Sequence, residues 1–149
     1  MTEPAPFTSV ELPQAQQDNL ASLGYHSMTP IQAKALPLAL AGKDLIAKAK
    51  TGSGKTAAFG IPLLNSLNPR FFGTQALVIC PTRELATQVM EELRKLARFQ
   101  QNIKIITLCG GQPIGPQIGS LAQGAHVVVG TPGRLKDHLR KETLDIRQI

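Results

Sequence analysis

The chain has 149 residues, 42% apolar and 17% charged, with a mean hydropathy near zero, which fits one globular domain with a buried core and excludes disordered and collagen-like classes. Its formal net charge is +6, and because the first 33 residues carry three acids and no base, the remainder stands at +9, the balance of a polyanion binder. No apolar run approaches the ~20 residues of a membrane span, and the N-terminus MTEPAPFTSV lacks the basic and apolar stretches of a secretion signal, so a cytoplasmic chain with no membrane partner is expected.

In chain order, four short continuous apolar runs read as buried parallel strands: residues 44–49, 75–80, 103–109 and 125–130. Helical patterns fall between them. The clearest runs from Glu84 to Phe99, where Leu85, Val89, Leu93 and Leu96 recur at helical spacing with Glu91, Glu92, Arg94, Lys95 and Arg98 mostly opposite. Residues 55–67 and 135–141 are further helix candidates, whereas residues 113–123 are ambiguous because Pro113, Pro116 and Gly119 interrupt them. Alternating strand and helix gives βαβ units, hence an α/β fold with a doubly wound parallel sheet and helices on both faces.

Cys80 and Cys109 end apolar runs, with no CxxC spacing and no clustered histidines. They read as small core hydrophobes, not as a disulfide or a zinc site. His26, His126 and His138 likewise show no ligand spacing. With no Trp, one Tyr and five Phe, an aromatic base-stacking platform is not expected, and contacts to nucleic acid should be to backbone.

The segments after the strands carry the chemistry. The four runs lead into KTGSGKT, PTRE, GGQP and TPGR, all placed at strand carboxyl ends, where open α/β sheets bind ligands. Ala49, Lys50, Thr51, Gly52, Ser53, Gly54, Lys55 and Thr56 form a P-loop, with Ala49 where the common pattern has its first glycine. Gly52 and Gly54 let consecutive N–H groups turn toward one anion. Ser53 lines that cradle, Lys55 reaches the β- and γ-phosphates, and Thr56 offers its hydroxyl to Mg²⁺. Pro81, Thr82 and Arg83, and then Thr131, Pro132, Gly133 and Arg134, each join a helix-capping residue to an arginine. Read singly, each is a cap plus a surface charge; read with a P-loop, both suit phosphates of an extended strand. Gly110 and Gly111 let a third stretch of backbone approach.

GYHSMTPIQ (Gly24 to Gln32), AKTGSGKT, PTRELA, GG and TPGR, in this order, resemble the DEAD-box RNA helicases over nearly the whole chain, most nearly the bacterial DbpA group. The resemblance implies a RecA-like first domain that binds ATP with Mg²⁺ and RNA through its backbone phosphates. Gln32 would read adenine, with Tyr25 and Phe7 at the family's aromatic positions. Residues 1–32 would be an N-terminal extension with the Q motif, and residues 33–149 part of the first helicase domain. A second RecA-like domain, a monomeric state, RNA-dependent ATPase and unwinding activity, and a role in large ribosomal subunit maturation are implied in the same way. The sequence departs from the family in containing no Asp-Glu-Ala-Asp segment, so the sheet is expected to be incomplete at its C-terminal side and the chain alone inactive in hydrolysis. The competing readings are a nucleotide- and RNA-binding module without turnover, and a P-loop protein of other chemistry such as a small kinase.

Overall fold

A computed structural model describes residues 4–49 and 54–149. The chain divides into two compact units: residues up to Ser66 with Lys95–Gln100, and Leu67–Arg94 with Gln101–Ile149.

The first unit is helical. A 3-10 turn at Phe7–Ser9 precedes α1 (Gln14–Ser22), α2 (Pro30–Leu40) and α3 (Lys55–Asn65). Thr29 is the N-cap residue of α2, and Pro30 occupies its first position, where a missing N–H costs nothing. The expected boundary at residue 32 lies inside this helix. α2 packs on α3, burying Ala35 and Leu36 of one helix and Ala57, Ala58, Ile61 and Leu64 of the other. Small residues on this seam let the two backbones approach closely. Asn19 of α1 donates to the carbonyls of Lys95 and Leu96 at 3.0 and 3.2 Å, satisfying acceptors that a helix end leaves open.

The strand expected at residues 44–49 does not form. Residues 43–49 have no regular structure, and Ile46 is 95% exposed. Leu45 and Ala47 instead border an open groove of about 320 Å³ beside Ile31, Ala35 and Phe59. A strand is stable only when its backbone groups find a ladder, and no strand in the described residues pairs with this run. An apolar run states a wish for burial; it does not supply the neighbour.

The second unit holds the sheet. β1 (Ala76–Ile79), β2 (Ile105–Leu108) and β3 (Val127–Gly130) are all parallel in the order β1-β3-β2, with Ile79 and Leu108 both level with Gly130. α4 (Arg83–Leu96) carries the chain from β1 past one place to β2, and α5 (Ile114–Gln123) carries it back to β3. Right-handed crossovers that run in opposite directions along a sheet lie on opposite faces, which is the doubly wound arrangement. α6 (Pro132–Arg140) follows β3. β3 is buried along its whole length, and Val128 joins Leu108, Ala125, Leu135 and Leu144 in the core.

Buried cysteines, a buried histidine and an edge arginine complete this unit. Cys80 and Cys109 lie at the ends of β1 and β2 with β3 between them; two strand spacings of ~4.8 Å exceed the Cα separation a disulfide allows. His126 is fully buried, accepting at Nδ1 from the Lys104 N–H (3.0 Å) and donating from Nε2 to the Pro69 carbonyl (3.0 Å), so it ties loops together. At the side of the sheet that β2 closes, Arg94 donates from Nη2 to the Ile105 carbonyl at 2.9 Å. Among the described residues no helix is long and apolar enough to cross a membrane.

Candidate functional site

In the first unit the Q segment and the end of the P-loop meet. Gly54, the N-cap of α3, has φ +87°, a conformation L side chains rarely adopt, and a Cβ there would lie 2.4 Å from Gln32 Nε2 and 3.0 Å from Thr29 Oγ1. Only glycine fits this position. Gln32, buried at 1% exposure, accepts at Oε1 from the Thr29 N–H (2.9 Å) and donates from Nε2 to the Gly54 carbonyl (3.2 Å). Its amide therefore keeps one lone pair and one N–H beyond these bonds. Thr29 Oγ1 is buried without a hydrogen-bond partner among the described residues. Lys55 is exposed at the first position of α3 and Thr56 half-buried at the second. A helix start with no side-chain cap, a left-handed glycine and a lysine suits an anion, so the residues present fit a nucleotide phosphate. Among the described residues no group of three or more His, Cys, Asp or Glu side chains could hold a metal; Mg²⁺ would need phosphate oxygens together with Thr56. Ala49 is half-buried, whereas Lys50, Thr51, Gly52 and Ser53 lie outside the described residues.

Phe7 and Tyr25 stand edge to face, with ring centroids 6.0 Å apart. Phe7 is only 2% exposed. It is a core residue that backs Tyr25, while Tyr25 is half-buried and better placed to meet a ligand.

In the second unit the three loops after β1, β2 and β3 converge on one edge. Thr82 accepts at Oγ1 from the Leu85 N–H (3.2 Å), an ordinary N-cap that starts α4 at Arg83. Gly111 has φ +79°, and a Cβ there would lie 3.3 Å from Arg83 Nη1, so the glycine lets that guanidinium sit against the loop. The Gly110 N–H donates to Thr131 Oγ1 at 3.2 Å, and Arg134 Nη1 donates to the Gln112 carbonyl at 2.8 Å. Thr131 gives α6 no side-chain cap, and Pro132 and Gly133 are exposed in the first turn of that helix. Pro81, Thr82, Arg83, Gly110 and Gly111 are exposed as well. The edge thus offers helix N-termini, exposed loop backbone and two arginines, the groups that bind a chain of phosphates.

Two residues of this edge were not expected. Gln117 of α5 is buried, donates from Nε2 to the Cys109 carbonyl (3.0 Å), and accepts at Oε1 from Arg134 Nη1 (3.2 Å) and His138 Nε2 (2.9 Å). Since Oε1 can only accept, His138 carries its proton on Nε2, and its Nδ1 accepts from the Thr143 hydroxyl at 2.8 Å. Burial, and then the neighbouring Arg134 and Lys141 charges, push His138 below its ordinary 6.5, with Asp137 opposing. The sequence signal for Gln117 is a polar residue on the apolar stripe Ile114, Ile118, Leu121. Burial also raises both thiols, Cys80 further through Cys109, which marks them as core groups and not nucleophiles.

Comparison with known proteins agrees with this geometry. The sequence pattern of the DEAD/DEAH box helicase family matches residues 29–149. The chain is 62% identical to the ATP-dependent RNA helicase DbpA of Escherichia coli over 135 residues, covering 91% of this chain and 30% of that protein. It is 50% identical to the DEAD-box ATP-dependent RNA helicase CshA of Bacillus licheniformis over 127 residues, 85% of this chain and 26% of that one. Among solved structures, a DEAD box protein from the hyperthermophile Methanococcus jannaschii superposes with a TM-score of 0.92 at 40% identity, covering 99% of this chain and 40% of that chain. The chain therefore spans about 30% or less of the length of these curated relatives, and its three-stranded parallel sheet with crossover helices is the RecA-like fold they share.

Proposed function

We propose, for a chain that belongs to the DEAD/DEAH box helicase family, that it supplies the ATP-binding elements and one half of the RNA track of an RNA-dependent ATPase that separates short RNA duplexes. The observation that carries the reading is the Gln32–Gly54 hydrogen bond, which couples the adenine-reading segment to the end of the phosphate loop. A nucleotide would then be held at both ends by one body: Gln32 and Tyr25, with Phe7 behind, at the base, and residues 49–56 at the phosphates. Lys55 would neutralise β- and γ-phosphate charge, and Thr56 would orient Mg²⁺, whose contribution when bound is to draw off negative charge during transfer.

RNA would lie along Pro81, Thr82, Arg83, Gly110, Gly111, Thr131, Pro132, Gly133 and Arg134. Those groups address phosphate and no base edge, so binding should be sequence-tolerant and salt-sensitive. The remaining carboxylates, the second RecA-like domain and its arginine are assigned to the intact protein, and ribosomal RNA of the large subunit is the substrate class to test first. The deciding experiment is nucleotide titration of the chain and of Lys55→Ala. Wild type should prefer ATP to GTP, and unchanged affinity in a folded Lys55→Ala chain would sink the assignment.

A further inference from the structure

We propose that Gln117 is the positioning residue of the RNA edge: its buried amide locks the loop after β2 to the start of α6, so that two backbone stretches meet the phosphates as one rigid piece. This rests on the proposal that the edge binds RNA. Gln117 holds the Cys109 carbonyl, the last backbone acceptor before Gly110, with its N–H, and with its oxygen holds Arg134 and His138 of α6. Arg134 closes the ring by donating to the Gln112 carbonyl, and Thr131 adds a fifth tie by accepting from the Gly110 N–H.

The ring runs from Cys109 through Gln117 and Arg134 to Gln112, and it encloses Gly110 and Gly111. A glycine pair is chosen for close approach and for that reason has no side chain of its own to hold it. Something else must set where its N–H groups point, and among the described residues the hydrogen bonds that hold this loop lead to Gln117, Arg134 and Thr131. Arg134 has its side chain only 14% exposed, with Nη1 shared between two acceptors and Nε 3.5 Å from Asp137. Much of its hydrogen-bonding capacity is spent inside the protein, so part of its service to RNA is to shape the loop. Hydrogen bonds to a charged guanidinium are strong and directional, and a buried amide held by three bonds is confined by them.

The test is a double-mutant cycle in the intact protein, read by the affinity for a labelled single-stranded oligouridylate. Gln117→Met, which keeps the volume and removes all three bonds, should bind the probe about tenfold more weakly, and in an Arg134→Ala background it should cost less than about twofold further. ATP affinity should not change, since Gln32 and residues 49–56 belong to the other unit. Amide exchange supplies the second readout: Gln117→Met should speed exchange at Gly110, Gly111 and Gln112 and leave Val127–Gly130 protected. Equal losses with and without Arg134, or loss of protection through β3 as well, would mark Gln117 as mere core support and overturn the proposal. Arg83→Ala separates the two claims. If it weakens the probe while Gln117→Met does not, only the positioning role falls; if neither matters, the RNA reading falls with it.

Discussion

At the scale of single residues, function and stability are divided between side chains that look alike in the sequence. Lys55 is exposed, so Lys55→Ala should leave the melting temperature unchanged while weakening ATP by about 10- to 100-fold, the ~1.5–3 kcal/mol of a hydrogen bond to a charged group. Isothermal titration against ATP and a thermal melt check both halves. Gln32 behaves differently. Its amide caps α2 and holds Gly54, so Gln32→Ala should cost about 1 kcal/mol of stability along with adenine selectivity, and a melt of the ligand-free variant should register that loss. His138 gives a pH dependence. The folded chain holds it neutral, whereas the unfolded chain protonates it near its ordinary 6.5; stability is therefore whole above about pH 6.5 and declines as the pH falls below. Denaturant midpoints between pH 7.5 and 5.5 should show this decline, and His138→Gln should flatten it. The placement of Arg83 and Arg134 just past strand ends was legible in the sequence, because the apolar runs before them mark those ends. Gln117 and His138 were not, since they face other residues of the chain and a single sequence does not record who faces whom.

At the scale of elements, the legible ones are those whose partner is implied by their own pattern. α4 shows its buried stripe directly, although the residues that carry it are Ala86, Val89, Leu93 and Leu96, while Leu85 is 40% exposed. α5 was obscured by its prolines. Pro113 is its N-cap and Pro116 lies in its first turn, where an N–H has no intrahelical acceptor and its loss costs little. The run at residues 44–49 fails for the opposite reason: its hydrophobicity is real, but pairing is a property of two segments. β3 is the element on which the others depend. It pairs on both sides and its side chains are wholly buried, so Leu108→Ala, which opens a cavity against Val128 and Leu135, should cost about 2–5 kcal/mol. Urea unfolding will show it as a lowered midpoint. Cys80 and Cys109 should stay unreactive toward a thiol reagent in wild type and become labelled as that variant opens.

At the scale of the whole molecule, the groups proposed to bind phosphates stand in a chain with no adjacent acidic pair at the end of a described strand. No Asp-Glu-Ala-Asp segment is present, and β1, β2 and β3 are followed by Cys80, Cys109 and Thr131. This chain alone should bind ATP yet show no RNA-stimulated phosphate release, because an arginine finger by itself is worth ~10³–10⁵ in rate; a coupled phosphate assay with and without oligouridylate checks it. Turnover by the purified chain that vanishes in Lys55→Ala would mean that a carboxylate already present performs the step. The arginine at the edge of the sheet bears on solubility. An unpaired strand edge is a template on which a second copy can add a strand, and Arg94 occupies the Ile105 carbonyl with a charged group, which blocks that template in register and repels a like copy. Arg94→Leu should leave the chain folded at high dilution but turn its solution cloudy as concentration rises, with light scattering that grows steeply where wild type stays clear.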